Sequence, residues 1–297
     1  MAFEKLASHG RYPYSALPDR PDWSWPGGKR LAVYVALNVE VFPFGEGMGP
    51  EIGPKQPEPD VQNFAWRDYG NRVGIWNVLD ALDGFPISAL MNTATYDEAP
   101  EIPKALRACK AEIVGHGRTN AERQSSMDEA AEAALLAECR DRIAAEEGAP
   151  PQGWMGPWVS ETRATPDLLA EAGYRYTMDW PADDQPHFLA TRSGKKLLSI
   201  PYARHTNDLP CLMGAKWPPS VWADAVIDMF DEMRRLSAKR PLVFNLSLHP
   251  YLVGVPFRLL HLRRVLAHIA QHRDDIWPAR TGEIARHVLS LPDGTIV

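Results

Sequence analysis

The residues best suited to chemistry in this sequence stand at the ends of short apolar runs. Glu40 ends "RLAVYVALNVE", His116 follows "AEIVG", and His249 follows "PLVFNLSL". A carboxylate can take a proton from water, and an imidazole can give one to a leaving nitrogen. If the fold brings these three side chains together, they are equipped to hydrolyse a carbon–nitrogen bond.

Other polar residues also follow apolar runs, and each has an ordinary structural explanation. A strand-end histidine is more often a hydrogen-bonded structural residue than a catalytic one, and a strand-end carboxylate is often only a surface group. Several such residues on one rim are harder to explain in that way. The set adds Asn92, Asp179, Asp183, Asp184, Asn207 and Asp208, with Trp158 among the tryptophans that stand beside polar residues and could wall a pocket.

The stretch "GHGRTN" places Asn120 four residues after His116. Taken alone, this pattern leaves three interpretations open. It is a core strand running into a turn, half of a metal site, or part of a catalytic centre that works without metal.

Strand-like and helix-like segments alternate along the chain, about seven or eight times. That order predicts a parallel sheet, and at this length a closed or nearly closed α/β barrel rather than an open sheet. The active site of such a barrel lies at the carboxyl ends of its strands. We therefore predict one catalytic domain over residues 1–297, with an irregular N-terminal segment 1–29 and a long Gly- and Pro-rich loop 42–60.

Two segments predict individual helices. Ser126 and Glu129 have the spacing of a capping box for a helix that ends before Gly148. Within 70–84, the spacing of apolar residues predicts a helix with one buried face, formed by Val73, Trp76, Leu79 and Leu82.

Composition excludes several classes of protein. The net charge of −6 and the lack of a Lys/Arg cluster argue against a nucleic-acid partner. No apolar run is long enough for a membrane span, and the first residues lack the apolar core of a signal peptide. The three cysteines form no CxxC pair, which fits a reducing cytoplasm better than a disulfide framework.

The motifs then resemble a known family. "ALNVE", "EIVGHG", "GWMGPW", "MDWPADDQP", "IPYARHTND" and "SLHPYLVGVPFR" occur in the order found in the polysaccharide deacetylase superfamily, and they look closest to its small-molecule amidohydrolase branch of allantoinases and cyclic-imide hydrolases. The resemblance runs from about Trp25 to about Val288. It implies a distorted (β/α)7–8 barrel of the polysaccharide deacetylase type.

The departures from the sugar deacetylases are informative. Those enzymes carry two adjacent aspartates after the first strand and two histidines four residues apart, and here Glu40, Val41, His116 and Asn120 stand at these positions. Met155 stands where they carry an arginine. Two of three metal ligands are thus replaced, whereas a catalytic metal normally needs three. The resemblance therefore implies that "GHGRTN" is the remnant of a metal motif and that no metal cofactor is required, although zinc held by an unexpected ligand set is left open.

The resemblance also gives roles to the retained residues. Glu40 matches the base, His249 matches the general acid, and His116 is expected to orient or polarise the substrate carbonyl as a donor. Substrate binding is expected from a further set: Asn120, Trp158, Asp183, Asp184, Asn207 and Asp208. Apolar neighbours are expected to raise the pKa of Glu40, and one of Asp183, Asp184 or Asp208 to keep His249 protonated.

We predict a cytoplasmic hydrolase of small cyclic amides, such as imides, hydantoins or ureides. Its partner is a small-molecule substrate, with no nucleic acid and no membrane, and it forms a homo-oligomer because "VFPF" and "PYLVGVPF" leave apolar surface at one rim. A metal-dependent N-deacetylase of acetylated sugars is one alternative. A non-catalytic ligand-binding barrel is the other.

Overall fold

The computed structural model describes residues 7–45 and 49–296. The strands that it describes are β1 (Leu31–Val39), β2 (Ile87–Met91), β3 (Glu112–Gly115), β4 (Gly153–Trp154), β5 (Tyr176–Thr177), β6 (His187–Leu189), β7 (Leu197–Ser199), β8 (Leu242–Leu248) and β9 (Trp277–Pro278). The helices are α1 (Val61–Tyr69), α2 (Ile75–Ala81), α3 (Thr95–Glu98), α4 (Glu101–Ala108), α5 (Glu129–Glu147), α6 (Thr165–Ala172), α7 (Pro219–Ser237), α8 (Pro250–Val253), α9 (Pro256–Ala270) and α10 (Thr281–Ser290).

All nine strands form one curled sheet in the order β6-β7-β5-β4-β3-β2-β1-β8, and β9 also pairs with β1. The pairing is parallel except between β6 and β7. Within the described ranges β6 and β8 do not pair, so the sheet is a half-barrel with an opening between its two edges. The expected α/β barrel class is confirmed, in a form less closed than a regular barrel.

Both faces of the central strands are buried, as parallel sheets require. On β1, Val33, Val35 and Leu37 pack against the helices, while Ala32 and Tyr34 point to the inside of the curl. Helices cover the outside of the sheet, where Phe230 of α7 packs against Phe244 of β8, whereas α10 packs in the cluster that contains Ala32 and Tyr34. This double burial fixes the register of β1 against β2 and β8, and with it the position of the residues that follow each strand.

Two details differ from the sequence predictions. Asp128 caps α5 by accepting from the Ala131 N–H at 2.8 Å, so Ser126 belongs to the preceding turn and the predicted capping box is wrong. Gly148 ends α5 in a left-handed conformation, as predicted. Between α1 and α2 the chain forms a π turn at Gly70–Gly74, which rotates the helix surface. Val73 and Trp76, predicted to be buried, are therefore exposed, and Ile75 and Val78 are buried in their place.

The same π turn supports the site. A Cβ at Gly74 would collide with the carbonyl of Pro250, so only glycine allows this close approach of the turn to α8. α8 starts directly after His249, and its Tyr251 packs on Phe42 and Trp66. Phe42, at the start of loop 42–60, thus packs at the carboxyl end of the sheet, while most of residues 51–59 are exposed. Residues 46–48, which include most of "GEGMG", lie outside the described residues. No helix among residues 7–45 and 49–296 is long and apolar enough to cross a membrane.

Candidate active site

The ends of three strands, within the run β3-β2-β1-β8, bring the predicted catalytic residues together. Glu40 follows β1, His116 follows β3 and His249 follows β8, and parallel pairing places these ends on one edge of the sheet. Asn92, after β2, braces the gap between β1 and β3: its Oδ1 accepts from the Val41 N–H at 2.9 Å, and its Nδ2 donates to the carbonyl of His116. We call Glu40, His116, Asp208 and His249 the rim site.

The carboxylate of Glu40 lies between two imidazoles. Its Oε1 is 3.7 Å from Nε2 of His116 and 3.6 Å from Nε2 of His249. All three side chains are at most 5% exposed. Separations of this size allow strong charge interaction, but they are longer than hydrogen bonds.

Asp208 is the carboxylate partner of His249. Its Oδ1 lies 2.5 Å from Nδ1 of His249, and its Oδ2 accepts from the backbone N–H of the same residue at 2.7 Å. A carboxylate can only accept here, so Nδ1 carries the proton and Nε2 faces Glu40. Burial lowers the pKa of His249, but the charges of Asp208 and Glu40 outweigh it, and the pKa lies above its usual value.

The pKa of Glu40 moves in the opposite direction to the sequence prediction. Burial pushes this pKa up, as expected, but His249, His116 and the hydroxyl of Tyr251 together push it further down, so that it lies below its usual value. The predicted rise is therefore wrong. The two shifts widen the pH range in which Glu40 is a carboxylate and His249 is an imidazolium.

His116 is held as one tautomer. Its Nδ1 lies 2.6 Å from the backbone carbonyl of Met155, which can only accept, so Nδ1 carries the proton. The Nε2 of the neutral ring is then an acceptor. His116 acts as the predicted donor, and lowers the pKa of Glu40, only when the ring is doubly protonated. Among the described residues no hydrogen-bond partner reaches three buried atoms at this edge: His116 Nε2, Glu40 Oε2 and Asn120 Oδ1.

Apart from Asp208, which pairs with His249, the predicted substrate-binding residues fall into two groups. A narrow cavity of about 70 Å³ beside Glu40 is lined by Asn120, Trp158 and Asn207, with both imidazoles. Trp158 donates through Nε1 to the Asn120 carbonyl at 2.8 Å, and Asn207 donates to the Tyr202 hydroxyl at 3.1 Å. These contacts fix the walls of the cavity.

Asp183 and Asp184 are not brought to this cavity. Asp183 is ion-paired with Arg20 at 2.6 Å, and both aspartates line a separate cavity of about 610 Å³ beneath the N-terminal segment, at the opening of the half-barrel. The carbonyl of Asp184 accepts from the backbone N–H of Val243, near the start of β8. His249 pairs with Asp208, so the expectation of Asp183 or Asp184 as its carboxylate partner is not met.

Sequence reasoning missed two groups near the rim. The buried Tyr251 hydroxyl lies close enough to Glu40 to lower the pKa of that carboxyl, and it has no hydrogen-bond partner within the described part of the chain. The only signal was its place in "HPY", two residues after His249. Behind His116, burial and the neighbouring carboxylate of Asp179 raise the pKa of Glu161, a pairing that cannot be inferred from residues 18 positions apart in the chain.

The donor set at the rim does not fit a divalent metal, which a catalytic site normally holds by three protein ligands. Val41 has no ligand atom, and Asn120 offers only an amide oxygen. In the described ranges, three or more ligand atoms of His, Cys, Asp or Glu lie within 4.8 Å of one another only at Asp231, His268 and His272, on other elements. The two imidazoles of the rim site both face Oε1 of Glu40, but the ligand atoms of the three residues do not all lie within 4.8 Å of one another.

No family model matches the sequence. No curated protein matches it either. Solved structures do match. PuuE allantoinase superposes with a TM-score of 0.81 at 27% identity, covering 93% of this chain and 97% of that one. A "probable Polysaccharide deacetylase from Pseudomonas aeruginosa PAO1" gives a TM-score of 0.80 at 27% identity, with the same coverage of 93% and 97%. A Mycobacterium smegmatis protein assigned to the polysaccharide deacetylases gives 0.75 at 25%, covering 91% and 94%.

These matches span nearly the whole of each chain. The predicted resemblance is thereby confirmed at the level of the superfamily, with an allantoinase among the structural relatives. Over nearly its whole length, the chain is therefore similar in fold and sequence to structures of the polysaccharide deacetylase superfamily.

Proposed function

We propose that the protein is an amidohydrolase that opens small cyclic amides, such as imides, hydantoins or ureides, by acid–base catalysis at the rim site. The class of hydrolase acting on non-peptide carbon–nitrogen bonds is supported by relatives that are named an allantoinase and deacetylases. The single observation that carries the proposal is the buried Glu40 between two imidazole Nε2 atoms, at 3.7 and 3.6 Å, with Asp208 behind one of them.

The first step requires a base for water. Glu40 Oε2, His116 Nε2 and Asn120 Oδ1 are buried acceptors without a partner among the described residues, so a donor placed there is strongly favoured. A water with two protons satisfies two of them. As its oxygen attacks the carbonyl carbon, one proton passes to Glu40 and the C–O bond forms.

The second step requires an acid for the leaving nitrogen. His249 donates the Nε2 proton as the C–N bond breaks, and Asp208 holds the ring in the orientation that makes this possible. Glu40 is then protonated and His249 neutral. Their 3.6 Å separation allows the proton to return, which restores both groups after one water has been consumed.

The hydroxyl of Tyr251 supplies the remaining function. Burial first, and then the negative charge of Glu40, raises the pKa of this hydroxyl, so it stays protonated and able to donate. We assign it to stabilising negative charge that develops beside Glu40 on the carbonyl oxygen.

The shape of the cavity favours a small ring over a sugar polymer. Its volume of about 70 Å³ is far below the roughly 300–1,000 Å³ typical of sites for drug-sized ligands. Trp158, Met155 and Leu209 supply apolar walls against which a planar ring can lie. The cytoplasmic location and the homo-oligomer stay predictions.

Product analysis on a substrate panel tests the proposal. The purified protein is incubated with imides, hydantoins, allantoin and acetylated chito-oligosaccharides, and ring opening or acetate release is followed. We expect ring opening of at least one cyclic amide, abolished in Glu40→Gln. Acetate release from the oligosaccharides alone would identify a sugar deacetylase, and binding without turnover would identify a non-catalytic barrel.

A further inference from the structure

A second cluster of histidine and carboxylate side chains lies on the helix layer, at the other end of the molecule. Asp231 of α7 contacts His268 in the last turn of α9, and His272 follows two residues after that helix ends. Helices that link parallel strands run back along the sheet, so the carboxyl ends of α7 and α9 lie at the amino end of the strands. The rim site is at the carboxyl end. We call Asp231, His268 and His272 the helix cluster.

The helix cluster has the spacing of a metal site. One ligand atom from each residue lies within 4.8 Å of the other two, and Oδ1 of Asp231 is already 3.0 Å from Nε2 of His268. Around a tetrahedral zinc ion the ligand atoms lie about 3.3 Å apart. Small side-chain rotations therefore suffice to close the cluster around an ion.

The surroundings support that geometry. The ring of Phe230 packs against both imidazoles, each with its centroid 5.9 Å away, which limits the orientations the two rings can adopt. Asp275 lies 3.8 Å from Nδ1 of His272 and can add a fourth ligand, a carboxylate oxygen. The partial negative charge at the carboxyl end of α9 also favours a cation there.

One residue opposes a metal. Arg234 lies 3.4 Å from the same Oδ1 of Asp231 and 3.1 Å from Asp275, so its guanidinium now holds the place of a cation. Arg234 is on α7, three residues after Asp231, and its side chain is 28% exposed, which gives it a path to solvent when an ion enters.

The geometry points to the helix cluster as a site for a divalent transition metal such as zinc or nickel, one that ties α7 to α9. Two imidazoles and a carboxylate suit these ions and do not suit magnesium or calcium, which prefer sites made of oxygen alone. The ion would act on stability and take no part in the chemistry at the rim.

Zinc binding by the whole chain tests this assignment. The protein is stripped with a chelator, dialysed against zinc, nickel or magnesium at matched ionic strength, and assayed for bound metal and for the thermal midpoint. We expect one zinc or nickel per chain, no magnesium, and a higher midpoint with zinc. His268→Ala and His272→Ala should each weaken zinc binding by more than about tenfold, while Arg234→Gln should strengthen it because the competing cation is gone.

His116→Ala supplies the matched control, since it removes an imidazole from the rim site and leaves the helix cluster intact. It should keep the bound zinc. Circular dichroism on each variant separates loss of metal from loss of fold, and His268→Gln gives a milder change where the alanine variant unfolds. The assignment is overturned if the folded wild type binds no zinc, if both folded helix-cluster variants keep it, or if His116→Ala loses it.

Discussion

The rim site and the helix cluster contain the same residue types, histidine and carboxylate, but differ in the spacing and burial of these side chains. In the rim site the carboxylate is almost fully buried and lies between two imidazoles, 3.6 and 3.7 Å from their Nε2 atoms. In the helix cluster the side chains of His268 and Asp231 are 25% and 45% exposed, and the three ligand atoms converge. Histidine and carboxylate content alone therefore does not distinguish an acid–base pair from a metal site; spacing and burial do.

Charge pairing explains why the rim site suits proton transfer. Because Glu40 and His249 are buried together, each stabilises the charged form of the other, and the pKa of the carboxyl falls while that of the imidazole rises. The reactive combination of ionised base and protonated acid is thus the resting state. A metal at the same place would compete with that pairing.

Removing the base should give the largest effect. Glu40→Gln keeps the shape but cannot accept a proton, so we expect kcat to fall by about 10²–10⁴-fold, and His249→Ala should have a similar effect by removing the acid. Steady-state kinetics and the thermal midpoint are measured together, with the exposed-surface variant Glu146→Gln as control. Near-full turnover in Glu40→Gln would transfer the role of base to the neighbouring acceptor, His116 Nε2.

His116→Ala comes next and should raise KM as well as lower kcat, because its Nε2 helps to hold water or substrate beside Glu40. A conservative His116→Gln variant retains a polar group and should recover part of the loss in KM. A fall in the thermal midpoint with normal turnover per folded molecule would show that His116 has a structural role only.

Asp208→Asn should shift one limb of the pH–activity profile, the alkaline limb. Activity needs ionised Glu40 and protonated His249, so the acid limb of kcat/KM should lie below the usual pKa of glutamate and the alkaline limb above that of histidine. Removing the charge of Asp208 leaves burial dominant, which lowers the pKa of His249 and moves the alkaline limb to lower pH. Profiles of both proteins on one substrate decide this, and an unmoved alkaline limb would contradict it.

Tyr251→Phe should have a smaller effect. It removes one hydrogen bond to a developing charge, which corresponds to roughly a tenfold loss in kcat with little change in KM. An equal rise in KM at constant kcat would show instead that the hydroxyl binds the substrate in its ground state.

Asp183→Asn should have the smallest effect on turnover. Its carboxylate pairs with Arg20 at 2.6 Å in the separate cavity, so we expect a lower thermal midpoint and an unchanged kcat. A large loss of kcat in a folded Asp183→Asn protein would show that Asp183 takes part in catalysis and that the active site extends into that cavity.

The elements predicted best from the sequence are those whose pattern is long enough to be unambiguous. β1 and β8, with nine and seven residues, correspond to the apolar runs that end before Glu40 and His249, and both strands are fully buried. β6 was missed because it has three residues and pairs antiparallel at the sheet edge, where no local pattern is required. The π turn at Gly70–Gly74 arises from packing against Pro250, which no local sequence signal reports.

The candidate site also contains some residues that the sequence predicts and others that it does not. Glu40, His116 and His249 were predictable because each directly follows a strand, and strand order brings them to one edge. The choice of Asp208 over Asp183 or Asp184 was not predictable, because it depends on where irregular segments turn in space. The sign of the pKa shift of Glu40 was missed for a related reason: burial can be guessed from apolar neighbours, but the two facing imidazoles cannot.

The central claim is that the rim site hydrolyses its substrate with side chains and water alone, and metal dependence tests it most directly. The enzyme is stripped of metal, its metal content is checked by elemental analysis, and kcat is measured on the substrate identified from the panel, before and after addition of zinc or manganese. We predict the same kcat in all three states, even where zinc binds the helix cluster and raises the thermal midpoint. Activity that disappears on stripping and returns with metal, in wild type and in His268→Ala alike, would contradict the account.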